Sequence, residues 1–130
     1  MTAPVVRYAP TTGEIEVSGS RETLVQLADL LAAAPGRLAA DETADPGTYG
    51  QCLAEIVVRS SADTKAVIGV NTDTRTLVLD GSRAALKLLG DNVRALAVEG
   101  APGDNLHVEY FPEHFYLDES SLATVFALIT

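Results

Sequence analysis

Apolar positions along this chain change period several times, and each change marks an element. Residues 5–8 (VVRY) are a short, mostly apolar run. Residues 14–18 (EIEVS) alternate, with Ile15 and Val17 on one face and Glu14, Glu16 and Ser18 on the other. Both predict strands, joined through the turn formers of residues 10–13. From Ser20 the period lengthens, and Leu24, Leu27, Ala28 and Leu31 recur at helical spacing. Ser20 suits an N-cap because its hydroxyl can accept from the first free backbone N–H groups, and Pro35-Gly36 stops the helix at Ala34. Residues 36–50 have no periodicity and are rich in acids and turn formers, which predicts an exposed acidic loop with Tyr49 pinning its end. Strands are expected at 52–59 (CLAEIVVR), 66–70 (AVIGV) and 75–80 (RTLVLD), with turns at 60–64 and 71–74. A second helix opens at the N-cap Ser82, with Leu86, Leu89, Val93 and Leu96 as its buried stripe. Gly90 weakens that helix by roughly 1 kcal/mol relative to Ala and marks a place for a break or kink.

The last strand pair falls in residues 106–118 (LHVEYFPEHFYLD). With Pro112-Glu113 at the tip of a hairpin, Phe111 pairs with His114, Glu109 with Tyr116, and His107 with Asp118. These six side chains then share one face, while Val108, Tyr110, Phe115 and Leu117 share the other and suit a core. After Ser120-Ser121, the spacing of Leu122, Val125, Phe126 and Ile129 predicts a third helix. A repeat runs through this pattern, since Glu16-Val17-Ser18-Gly19-Ser20-Arg21 aligns with Val78-Leu79-Asp80-Gly81-Ser82-Arg83. Duplication and the generic chemistry of leaving a strand and capping a helix both account for it. The expected architecture is a single α+β domain over residues 1–130. It is a mainly antiparallel sheet of about six or seven strands with three helices packed on one face, built from ββα-like units. The opposite sheet face is left open to solvent or to a partner.

Charge narrows the classes of function. Eighteen acidic residues against nine basic ones give a formal charge of -9. Such a surface repels phosphate backbones and anionic membranes, so neither nucleic acid nor membrane is an expected partner, and it favours a basic protein. A single cysteine, Cys52, excludes an internal disulfide and fits a reducing compartment. The first residues lack a basic segment followed by an apolar run, and no apolar stretch is long enough to span a bilayer, so a cytoplasmic protein is expected.

The last hairpin concentrates the candidate chemistry, with both histidines and four of the seven aromatic residues. His107, Glu109 and His114 carry metal-ligand atoms, but their spacing matches no strong metal motif. His107 opposite Asp118 resembles a base with its orienting acid, yet no nucleophile is indicated beside them. A small metal-dependent or acid–base enzyme built on His107, Glu109, His114 and Asp118 is therefore the alternative reading, and a homo-oligomeric structural domain a further one. Exposed aromatic residues flanked by charge are instead the kind that anchor protein interfaces. The expected surface is a partner-binding patch of His107, Glu109, Phe111, Glu113, His114, Tyr116 and Asp118, with no catalytic residue, metal or cofactor. Arg21 and Arg83 fall in first helical turns, where positive charge is mildly unfavourable, and are expected to be solvated or paired with a local acid such as Glu22 or Asp80.

The run His107-Val108-Glu109-Tyr110-Phe111-Pro112-Glu113-His114-Phe115-Tyr116-Leu117, with Ser120-Ser121 after it, resembles the closing segment of immunity proteins of bacterial polymorphic toxin systems. The similarity is to the immunity protein 32 family. The Val-Ser-Gly-Ser and Leu-Asp-Gly-Ser junctions, each followed by a Leu-rich helix, are similar too, so the resemblance covers most of residues 13–34 and 66–128. A second histidine is expected in that family two positions before His107, where this chain has Asn105. The resemblance implies a cytoplasmic inhibitor without chemistry of its own, which binds and blocks a cognate toxin. Its mode of action would be occlusion, an acidic patch covering a basic active-site groove, often of a nuclease.

Overall fold

The two Gly-Ser-Arg junctions build the frame of the molecule. In each, the serine hydroxyl accepts from the backbone N–H three residues on, Ser20 from Thr23 and Ser82 from Ala85, both at 3.2 Å. The computed structural model describes residues 3–62 and 65–130, so the turn expected at 60–64 lies partly outside the described residues. Before the first junction lie strands β1 (Val5–Tyr8) and β2 (Ile15–Gly19), and after it helix α1 (Arg21–Ala32). The chain then forms β3 (Gly36–Ala39), the short β4 (Gln51–Cys52) and β5 (Glu55–Ser60). The second half repeats the order with β6 (Val67–Asn71), β7 (Thr76–Gly81), α2 (Arg83–Glu99), β8 (Asn105–Val108) and β9 (Thr124–Leu128).

These strands form two sheets, in the orders β4-β1-β2-β9-β8 and β3-β5-β7-β6. The halves exchange strands. The β1–β2 hairpin of the first half pairs with β9 and β8 of the second, and the β6–β7 hairpin of the second pairs with β5 and β3 of the first. Each sheet is mixed, because β2 meets β9 and β7 meets β5 in parallel while the other neighbours are antiparallel. The expected single sheet with three helices is therefore corrected to two mixed sheets with two α-helices among the described residues.

One core serves both sheets. Val6, Ile15, Val17 and Phe126 from the first join Ile56, Val58, Ile68, Leu77 and Leu79 from the second beneath Leu24, Leu27, Leu31, Leu86, Leu89 and Val93 of the helices. Period-two burial along the strands leaves each sheet one buried face. The helices meet end to start: the guanidinium of Arg21 donates to Ala97 O, to Val98 O at 3.3 Å and to Gly100 O at 3.3 Å, closing the last turn of α2. A cation suits that site, where carbonyls lack partners and the helix dipole is negative. Arg21 thus serves the other helix rather than its own first turn. Gly90 does not kink α2. It lets the helices approach, since a Cβ there would lie 3.0 Å from Leu31 Cβ and 3.1 Å from Ala28 O.

Three further expectations change. The third helix is strand β9: Thr124, Phe126 and Leu128 are buried and Val125 and Ala127 are half-buried, a period of two. Five residues of mixed apolar type fit both periods, and the empty place between β2 and β8 selects the strand. Residues 36–39, expected in a loop, form the outer strand of the second sheet. The hairpin expected at 106–118 is absent. β8 pairs with β9 instead, His107 lies opposite Val125, and residues 109–123 form a long connection.

Candidate functional site

The 109–123 connection does two things in succession. Its second part runs along the outer edge of β6. Ala66 N–H donates to Tyr116 O at 2.7 Å, Asp118 N–H to Ala66 O at 2.8 Å, Ile68 N–H to Ser121 Oγ at 3.0 Å and Leu122 N–H to Ile68 O at 2.9 Å. The first part bulges outward. Its tip is a turn closed by His114 N–H donating to Phe111 O at 3.0 Å, with Pro112 and Glu113 in the middle. Glu113 has φ +70°, the left-handed conformation that the third residue of a type II turn requires.

His114 anchors the bulge. Its ring is buried, and Nδ1 accepts from Leu117 N–H at 3.1 Å and Tyr116 N–H at 3.3 Å. A nitrogen that accepts from two backbone donors carries no proton, so the imidazole is neutral with its hydrogen on Nε2. Burial holds its pKa below the ordinary histidine value, and the Lys65 ammonium adds to this. The Lys65 ammonium also donates to His114 O at 2.6 Å. Ring centroids of Phe111 and Tyr116 each lie 4.6 Å from the His114 ring. Tyr116 is buried, and its hydroxyl accepts from Asn92 Nδ2 at 3.1 Å, tying the bulge to α2.

The outer surface is made by what this anchor leaves uncovered. Phe115 is 72% exposed and Phe111 57%, and Glu109, Glu113 and Glu119 stand exposed around them. No Lys or Arg occurs from residue 95 to residue 130, while six acids do. The connection that carries the two exposed phenyl rings is thus acidic along its own chain, and the Lys65 ammonium, from the neighbouring sheet edge, lines a small recess with Phe115. His107 and Glu109 line a neighbouring recess of about 400 Å³ with Thr12 and Glu14, at one end of the first sheet. Asp118 turns inward on its own loop, accepting from Ser120 N–H at 2.9 Å and Ser120 Oγ–H at 2.5 Å, and these bonds hold its pKa below the usual carboxylate value.

The residues singled out in the sequence are therefore distributed. His107 and Glu109 share one recess, and Phe111, His114 and Tyr116 share one aromatic cluster, but His114 and Tyr116 face inward. Phe115, assigned to the core by the hairpin register, is the most exposed of the large hydrophobic residues among the described residues. Asn92 was not marked by the sequence, in which a polar residue beside the Val93 stripe carries no signal. His107, Glu109, His114 and Asp118 do not form the single face that an acid–base reading required. Among the described residues no group of three or more His, Cys, Asp or Glu side chains could hold a metal ion. Cys52 is buried with its pKa raised by burial, and its S–H donates to Ala44 O at 3.3 Å.

The family model described as immunity protein 32 matches residues 14–49 and 76–129, well over half of the chain. The chain belongs to the immunity protein 32 family. The matched residues hold both strand-to-helix junctions and the whole 109–123 connection; the unmatched middle covers β4, β5 and β6. No curated protein and no solved structure matches. No helix among the described residues is long and apolar enough to cross a membrane.

Proposed function

We propose that this member of the immunity protein 32 family binds a cognate toxin domain in the cytoplasm and occludes it, with no chemistry of its own. Family membership supports the class of function. The observation that carries the location is the pair of exposed phenyl rings, Phe111 and Phe115, on an arm rich in acids and free of Lys and Arg. Rigid aromatic side chains that are already exposed bury large apolar area on binding at small entropic cost, and surrounding acids select a basic partner. A basic active-site groove, such as a nuclease presents to phosphate, is the surface this arm fits. Direct contact falls to Phe111, Phe115, Glu109, Glu113 and His107. His114 and Tyr116 hold the arm in shape, and Asp118 fixes its return.

The test is co-expression with the toxic domain encoded beside this protein. Wild-type protein should protect the cells and co-purify with that domain, whereas Glu109→Lys combined with Phe111→Ala should protect poorly and bind weakly. Continued cell death with no complex formed by the wild-type protein rules the reading out.

A further inference from the structure

The two outer strands that follow the helices, β3 and β8, are equivalent in the two halves but differently closed. At β3 the closure is tight. Three residues join α1 to β3, and the Leu30 side chain occupies the space a Cβ on Gly36 would need. At β8 five residues intervene, and a recess of about 570 Å³ remains between the last turns of α2 and the strand. Its walls include Asn92, Ala95, Leu96, Glu99, Asp104 and Leu106.

The backbone of β8 is open on the same side. β8 is the terminal strand of its sheet. Leu128 N–H donates to Asp104 O at 3.0 Å, and the register places Leu106 opposite Phe126 and Val108 opposite Thr124. Hydrogen-bonded pairs alternate in an antiparallel ladder, so residues 104, 106 and 108 bond to β9 while the N–H and C=O groups of Asn105 and His107 point away from it. A row of outward backbone groups beside a recess is the arrangement that accepts an added strand.

We infer that β8 is a strand-addition site, where an extended Lys- or Arg-bearing segment of the partner pairs with Asn105 and His107. Alternate side chains of that segment enter the recess beside α2. Charge selects the occupant. Glu99 and Asp104 line the recess and Glu109 follows the strand; the cation nearest in the fold, Arg21, is engaged by the carbonyls of Ala97, Val98 and Gly100 at the end of α2 and does not line the recess. Ala95, Leu96 and Leu106 supply a floor for the aliphatic stems of lysine or arginine. A second copy of this chain would bring its own Glu99 and Asp104 against the same acids, which disfavours self-pairing. The site is continuous with the arm, since Glu109 directly follows β8. The inference rests on the toxin-binding reading and specifies how a partner segment docks.

The direct probe is an acetylated, amidated heptapeptide of alternating lysine and valine, titrated into the full chain and followed by backbone amide NMR. Saturable shifts are expected at Asn105, His107 and the α2 residues facing the recess. Ala95→Trp, at an exposed position, fills the recess. His107→Pro removes an outward N–H and leaves the bonds to β9, a place where an edge strand tolerates proline. Each should weaken peptide binding by about tenfold or more, the scale of one lost anchor. The matching glutamate–valine peptide should not bind. Three results overturn the inference: no shifts at β8, unchanged affinity in both variants, or shifts explained by dimerisation of the protein through β8. Toxin capture separates it from the broader function. If wild-type protein and both variants bind and neutralise the toxin equally, this site is excluded while toxin binding stands. If the wild-type protein binds no toxin, the broader function itself fails.

Discussion

The two connections between outer strand and return strand, residues 40–54 and 109–123, are equal in length and do equivalent work. Both cover a sheet edge through a similar triplet, Asp41-Glu42-Thr43 and Asp118-Glu119-Ser120. Asp41 N–H donates to Pro4 O just before β1, and Asp118 N–H to Ala66 O just before β6. In each triplet the aspartate accepts from the backbone and hydroxyl of the third residue, which lowers its pKa. Both then close with a leucine bonded to the covered strand, Leu53 to Val6 O and Leu122 to Ile68 O. The difference is where the slack goes. In 40–54 it follows the triplet and consists of small, polar and turn-forming residues around Gly47 and Gly50, with the half-buried Tyr49 as its one aromatic ring. In 109–123 it precedes the triplet and carries Phe111, His114, Phe115 and Tyr116. Equal edge-covering duties leave each connection a stretch of free chain, and only that of 109–123 gathers a cluster of aromatic rings around an internal anchor.

That contrast can be broken most decisively at the exposed rings. Phe111→Ala with Phe115→Ala should weaken capture of the toxin domain by about 30-fold or more. Glu42→Lys with Asp45→Lys in the other connection should change it by less than about threefold, the scale of peripheral charges. Binding titrations on both double variants decide between the connections, and equal losses would end the distinction. A second test uses the equivalent glycines. A Cβ on Gly81 would meet Ala66 Cα at 2.8 Å, and Ala66 is pinned by Tyr116 and Asp118; a Cβ on Gly19 meets side chains alone, Thr23 at 3.1 Å and Leu24 at 3.8 Å. Gly81→Ala should therefore cost about 2 kcal/mol in urea unfolding, and Gly19→Ala less than about 1 kcal/mol.

Tyr116→Phe removes the hydroxyl that accepts from Asn92 and should cost about 1 kcal/mol, loosening the bulge more than the rest of the chain. Amide exchange across residues 109–117 would show whether the loss is local. His114 gives a pH signature that the 40–54 connection lacks. Its folded pKa lies below the ordinary 6.5, so below that pH the unfolded chain binds the extra proton first. The His114 contribution is complete above about pH 6.5, declines as pH falls below it, and levels off once the folded pKa is passed. In His114→Gln, unfolding free energies measured between pH 5 and 7.5 should lose this slope. The smallest effect belongs to Asp41→Ala and Asp118→Ala, which should lower the melting temperature slightly and by similar amounts, since each removes the same exposed turn bonds.

Local chemistry in the sequence settled much of the frame. The two N-cap serines, both helices with their apolar stripes, β1, β2, β5, β6 and β7, and the Gly-Ser-Arg repeat all follow from short-range spacing and capping. These features depend on residues within a turn or two of one another. The chemical character of 106–118 was legible as well, because aromatic, acidic and histidine residues cluster there in the chain itself. Tertiary structure decided what pairing at a distance decides. Strand exchange between halves is invisible locally, so β9 read as a helix and a hairpin was assigned where β8 instead pairs with a strand sixteen residues further on. Arg21 found its role seventy-six residues away, and Gly90 became a contact rather than a kink only when α1 lay across it. Side-chain direction in residues 109–117 was fixed by the anchor at His114 rather than by strand alternation, which turned Phe115 outward and Tyr116 inward. A sequence carries the composition of a surface; which members of it face the solvent is set by the contacts that hold the chain beneath.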